Sequence, residues 1–245
     1  MKDYQPELYG FLLAIGLLNL WYLTGVAIEE SVLPKNYDFV IKFFTVGVGG
    51  FAGAYSAFKL KSYQDRLSEE QRRVSALNWA LFILIRKYNA IENMKASMDK
   101  YERPFDRAFS LPAMVPAPYD ELKIEVNELS FLVDFDKANF LMELSLEQDR
   151  FRQAMRAIEI RNEFYVGEIQ PALSHYALNG RPLPLAEFQE KLGERLFEGA
   201  INGAENMYEH VYKTSDTLDK MIQSFREVAK ELYPGKKFVG WIKKT

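Results

Sequence analysis

Few residues in this chain have the type and spacing that chemistry needs. There are two histidines, His175 and His210. Neither belongs to a Glu-x-x-His or His-x-x-x-His pair, the spacings that put two metal ligands on one helix face. Arg161-Asn162 is the other candidate. An arginine, a polar residue and a histidine within one or two helical turns can bind phosphate and move a proton. Here the next histidine is His175, beyond Pro171, and the spacing departs from that arrangement. Arg161 is therefore expected to make a salt bridge or to cap a neighbouring element. No P-loop, dinucleotide glycine fingerprint or nucleophile elbow occurs. Gly199-Ala-Ile-Asn-Gly-Ala204 lies within a helical stripe and reads as a helix contact, because a phosphate loop needs a preceding strand. The count of cysteines is 0, which excludes disulfides, thiolate zinc, iron–sulfur clusters and cysteine nucleophiles. The expectation is a protein that is not an enzyme, with no catalytic residue, cofactor or metal.

Binding is better supported than catalysis. The segment from Lys236 to Thr245 carries Lys236, Lys237, Lys243 and Lys244 with Phe238, Trp241 and Ile242 between them, and no acid. It reads in three ways: a solvated tail, a contact with anionic lipid in which Trp241 inserts at the interface, or a contact with a partner. The whole chain has a net charge of −3, so its overall field predicts no direct nucleic-acid binding.

The elements that would position these residues fall into two parts. Mean hydropathy is −0.22, but the average hides an apolar first third and a charged remainder. Tyr9 to Ile28 holds about twenty residues without a charge, the length a bilayer core requires. A second run extends from Phe39 to Leu60, with a charge-free centre of roughly 16 residues between Lys42 and Lys59. The expectation is a transmembrane hairpin over residues 1–62, with spans at about 8–28 and 39–60 and a turn at Pro34. The start has no net positive charge and no good cleavage site, which disfavours a signal peptide. The turn holds only Lys35, whereas Lys59, Lys61, Arg66, Arg72 and Arg73 follow the second run. That asymmetry predicts a multi-pass inner-membrane protein with both termini cytoplasmic.

Within the second run, Thr45, Gly49, Gly53 and Ala57 recur every fourth residue and form a ridge of small side chains on one helix face. The ridge predicts close packing, either on the first run or in a homo-oligomer. Asn19, near the middle of the first run, needs a hydrogen-bond partner on a neighbouring helix or lines an oligomer interface.

Residues 63–235 read as a helical domain of about four helices with long antiparallel pairs, and residues 236–245 as a separate tail. Ser68-Glu-Glu-Gln71 looks like a capping box opening a helix that runs to about Glu102. Its stretch Val74–Ile85 is read as core, with a membrane-surface segment as the alternative. Leu122 to Asn127 alternates apolar and polar, as an extended piece or one short strand would. Phe140, Leu144, Phe151, Met155, Ile158, Tyr165 and Ile169 trace one helical face, which Pro171 should kink. Leu192, Leu196, Gly203, Met207, Val211, Leu218, Phe225 and Leu232 trace another, over a region from Ala186 to Leu232 that Thr214-Ser215-Asp216 could break. The fold class is all-α.

Glu128-Leu-Ser-Phe-Leu132, Arg161-Asn162 and Tyr233-Pro-Gly-Lys-Lys-Phe238, in this order after an apolar hairpin, resemble the two-transmembrane effector proteins of bacterial retron anti-phage systems. The resemblance implies a toxin held inactive by a reverse transcriptase with its RNA–DNA hybrid, which compromises the inner membrane when released. The competing expectation is a membrane-tethered helical scaffold or sensor without catalytic activity.

Overall fold

The computed structural model describes residues 6–32, 37–118, 121–178, 180 and 183–240. Every regular element among them is helical. In chain order they are α1 (Pro6–Glu29), α2 (Tyr37–Met98), α3 (Pro104–Phe109), a 3-10 helix (Val126–Phe135), α4 (Ala138–Phe164), a π turn (Tyr165–Ile169), α5 (Gln170–His175), α6 (Leu185–Leu192) and α7 (Glu194–Leu232). The chain divides into two compact units, Met1–Arg72 and Arg73–Thr245.

The N-terminal unit corrects the expected topology. Among the described residues no helix is long and apolar enough to cross a membrane. This overturns the transmembrane hairpin and, with it, the multi-pass inner-membrane placement. In α2 the charge-free run between Lys42 and Lys59 rises only about 24 Å, against a hydrocarbon core of about 30 Å. In α1 the apolar run is interrupted by Asn19 and Thr24, whose side chains each hydrogen-bond back to a carbonyl of their own helix. The helix α2 also passes straight through Ser68-Glu-Glu-Gln71, so no helix begins there. That stretch holds no breaker, and a serine inside a run of Glu, Gln and Arg costs a helix little.

The second unit is built around a core shared by the end of α2, the 3-10 helix, α4 and α7. Leu77, Leu81, Leu84 and Ile91 of α2 are buried with Leu144, Phe151 and Ile158 of α4 and with Val211, Leu218, Ile222 and Phe225 of α7. The stretch Val74–Ile85 is therefore a core stripe, with Trp79 and Phe82 on its exposed side. A second cluster joins α3, the π turn, α5, α6 and the start of α7, through Phe109, Phe188 and Phe197.

Breaks and bends have local causes. Of the expected extended piece Leu122–Asn127, Leu122 ends a turn, Lys123 to Glu125 lie outside regular structure, and Val126 and Asn127 open the 3-10 helix; Leu122 and Ile124 are buried and Lys123 and Glu125 exposed. The alternation is real, but no strand forms. The Ile124 N–H donates to Gln148 Oε1 at 2.8 Å, and Gln148 Nε2 donates to the Ile124 carbonyl at 3.3 Å. One side-chain amide thus does what a neighbouring strand would do. Pro171 lacks an N–H and crowds the carbonyl four residues back, at Gly167; the chain widens there into the π turn. The last helical region is split at Gly193, whose φ of 84° suits glycine alone, between α6 and α7. It does not break at Thr214-Ser215-Asp216, because Thr214 and Ser215 are buried and Ser215 Oγ donates to Glu92 at 2.5 Å.

Candidate functional site

The ridge residues and Asn19 sit in the N-terminal unit. A Cβ at Gly49 would lie 3.8 Å from Leu17 Cδ1, so α2 contacts α1 at that position. At Gly47, Gly50 and Gly53 an added Cβ would meet nothing within 4 Å. Gly49, Ala52, Ser56 and Leu60 are half-buried, while Gly53 and Ala57 are exposed. The sheltered line therefore runs along Gly49–Ala52–Ser56–Leu60, rotated away from the expected Gly49–Gly53–Ala57. Thr45 occupies a helical position, and its side chain lies outside the described residues. Asn19 is exposed and donates from Nδ2 to the Ile15 carbonyl at 2.9 Å, so its partner is its own helix and not a neighbour.

Around that line the unit exposes large apolar side chains on all sides. Phe43 is 70 % exposed, Val46 75 %, Phe51 76 % and Trp21 51 %. A helix apolar all round requires cover on every face. Scattered exposed apolar residues are ordinary, but a contiguous set of this size marks a contact surface.

The helical domain puts its polar groups to a different use. Arg161, 4 % exposed, is surrounded by carbonyls. Its Nη2 donates to Leu111 O at 2.5 Å, Arg107 O at 3.2 Å and Ala108 O at 3.4 Å, and its Nη1 to Pro112 O at 3.2 Å. These are the orphan carbonyls at and after the end of α3, so Arg161 is the cap of that helix. Its guanidinium also lies 4.2 Å from the Tyr165 ring centre. Desolvation lowers its pKa, and the fixed five-donor fork is the group that tolerates such a site. Next to it, Asn162 pairs with both backbone groups of Met114. His175 is exposed at the end of α5, edge-on to Tyr176. Arg161 is thus committed to the carbonyls around the end of α3.

A second buried polar cluster joins α2, α4 and α7. Lys87 is 2 % exposed, and its Nζ lies 3.5 Å from Gln148 Oε1 and 5.3 Å from the Phe151 ring centre. Burial pushes the amine down to about 8, against the opposing pull of the Glu147 carboxylate. Glu147, itself buried, accepts from Thr217 Oγ1 at 2.8 Å and from Arg150 at 2.9 Å. Every polar atom named here faces another protein group.

A groove of about 450 Å³ opens between Arg107, Glu205, Tyr208, Glu209 and Tyr212. Its polar groups tie the end of α2 and the residues just after it to α7 and to α3. Tyr208 donates to Met98 O at 2.7 Å, Tyr212 donates to Asp99, and Arg107 donates to Tyr101 O at 3.2 Å. Burial raises the Tyr208 phenol to about 12, so it stays a donor across the physiological range. Among the described residues no group of three or more acidic or histidine side chains could hold a metal ion.

Of the basic segment, Lys236 and Lys237 are exposed, whereas Phe238 and Val239 pack against the core. Trp241, Lys243 and Lys244 lie outside the described residues. Sequence reasoning missed the amide clamps at Gln148, Asn162 and Asn78. Each is a lone Asn or Gln on a helix, and its target is distant in sequence. Comparison with protein-family models, with curated proteins and with solved structures found no match.

Proposed function

We propose that this chain is a non-catalytic helical scaffold or sensor. In this reading residues 73–245 form a bundle of long antiparallel helices, and residues 1–72 self-associate to make a homo-oligomer. The carrying observation is the exposed apolar surface of α1 and the first half of α2, with Phe43, Val46 and Phe51 among its most exposed members. A second copy is the occupant this surface suits. The open glycines Gly47, Gly50 and Gly53 let another backbone approach closely, and an apolar surface of the same chain is its natural cover. Arg161, Lys87, Glu147 and Ser215 support the non-catalytic half of the reading, because each of these buried side chains is matched to a structural carbonyl or side chain.

Sedimentation equilibrium on the full chain tests the proposal. The expected result is an oligomer whose assembly weakens when Gly53 and Gly50 are replaced by leucine, at unchanged helix content. A chain that stays monomeric throughout the micromolar range would overturn it, as would a monomer that floats with lipid vesicles.

A further inference from the structure

After α7 the chain turns at Tyr233, where the Lys236 N–H donates to the Tyr233 carbonyl at 3.1 Å, and then runs extended. There it is gripped by one side chain. Asn78 on α2 donates from Nδ2 to the Lys237 carbonyl at 3.3 Å and accepts the Val239 N–H on Oδ1 at 2.9 Å. The two bonds flank Phe238, as one residue of an adjacent parallel strand would. Phe238 and Val239 are half-buried against the core, and Lys236 and Lys237 point to solvent. Main-chain hydrogen bonds from one edge plus apolar side-chain contacts are how proteins hold extended peptides.

The same device holds Met114 through Asn162 and Ile124 through Gln148; Ile124 is fully buried, whereas Met114 is half-buried like Phe238 and Val239. The stretch around Val239 has glycines on both sides, Gly235 and Gly240, and Pro234 precedes the first of them. A segment held by few bonds, with permissive joints at both ends, opens at much lower free energy than the helices beneath it. Opening it frees the Asn78 Oδ1 and the share of its Nδ2 group given to Lys237, while Nδ2 keeps its bond to the Val74 carbonyl at 3.2 Å, and bares the apolar surface under Phe238 and Val239.

We propose that Asn78 and the core surface beside it form a binding site for an extended peptide, apolar at two adjacent positions and preceded by lysines. In this structure the chain's own residues 237–239 occupy it as a removable strap. The inference stands independently of self-association by the N-terminal unit.

Hydrogen exchange on the full chain gives the first test. The Val239 amide should exchange at least about tenfold faster than the buried amides of α7 near Phe225, and Asn78→Ala should speed it about tenfold more while leaving α7 unchanged. Exchange of Val239 at the rate of the α7 core would overturn the strap, because the segment would then open only with the whole domain. The second test uses a fluorescent peptide of residues 233–240. Phe238→Ser vacates the seat, and this variant should bind the peptide at least about tenfold more tightly than the wild type, whose own strap competes at high effective concentration. Adding Asn78→Ala to Phe238→Ser should abolish that gain. Equal binding by all three chains, or binding by none, would contradict the proposal.

Discussion

The two units of this chain use large apolar side chains in opposite ways. In the helical domain Phe225 and Phe151 are fully buried, and Leu77, Leu81 and Leu84 show no surface. In the N-terminal unit Phe43, Phe44, Phe51 and Phe58 are all well over half exposed. The residue types are the same, so hydrophobicity alone did not decide their fate. Pattern did. The stripe of α7 is apolar at three- and four-residue intervals, with charge elsewhere, and such a helix can satisfy itself against one neighbour. In α1 the apolar residues go all the way round, and one neighbour cannot cover them. A chain that folds one unit to completion and leaves the other's apolar surface open has a use for that surface.

The largest expected effect separates the two units directly. Phe225→Ala should cost about 3–5 kcal/mol of domain stability, since it opens a cavity in a close-packed core. Phe51→Ala should change the unfolding free energy of the domain by less than about 0.5 kcal/mol and act instead on assembly. Urea unfolding followed by circular dichroism measures both. If the two substitutions cost the same, the contrast drawn between the units is wrong.

Next comes the cap. Arg161→Met leaves the Leu111, Pro112 and Arg107 carbonyls without their donor and should cost about 3 kcal/mol. Arg161→Lys should recover less than half of that, because an ammonium cannot reach carbonyls on two sides as a planar fork can. Full recovery by lysine would mean that charge, and not the fork, holds α3.

The Lys87 cluster gives a pH-dependent effect. The folded-state pKa of Lys87 is lowered from 10.5 to about 8, so between those values the unfolded chain binds more protons and the stability contributed by this residue rises with pH. Lys87→Met removes a poorly solvated charge and should leave the domain as stable or up to about 2 kcal/mol more stable at pH 7. That advantage should shrink as the pH passes from about 8 towards 10.5. A difference between wild type and variant that is flat in pH would contradict this reading of the buried amine.

Much of the helical domain could be read before its structure was seen. The apolar stripes of α4 and α7 name the core correctly at Leu144, Phe151, Met155, Ile158, Met207, Val211, Leu218 and Phe225. Pro171 marks the π turn that precedes it, and the alternation from Leu122 marks a piece outside regular structure, although only as far as Glu125. Those signals are local. What stayed hidden depends on partners far away in sequence. Arg161 reaches α3 some fifty residues earlier, and Asn78 reaches the segment after α7. Ser68-Glu-Glu-Gln71 misled because a capping box differs from a helix interior only in what its first residue's backbone does, and helix formers on both sides decided that. In the N-terminal unit, length without charge suggested a bilayer span. The run in α2 is too short for one, and the ridge expected through Gly53 is turned outward.

The smallest predicted effect concerns two glycines of α7. Gly203 has open space beyond its Cα, and Gly203→Ala should stabilise the domain by up to about 1 kcal/mol through helix propensity. At Gly199 a new Cβ would come within 2.9 Å of Phe164 Cζ, so displacement of the ring should offset that gain or reverse it. Equal stabilisation at both sites would show that α4 and α7 do not approach closely at Phe164.

The central claim is that the N-terminal unit is covered by a second copy of the chain, and the absence of cysteine makes it directly measurable. Single cysteines replacing Val46 or Phe51 and, as controls in the other unit, Met142 or Ile160, would each be labelled with a thiol reagent over a range of protein concentrations. All four positions are at least half exposed within one chain. The account predicts that labelling at positions 46 and 51 slows at least about tenfold as concentration rises, while labelling at 142 and 160 stays constant. Equal and concentration-independent labelling at all four positions would contradict it.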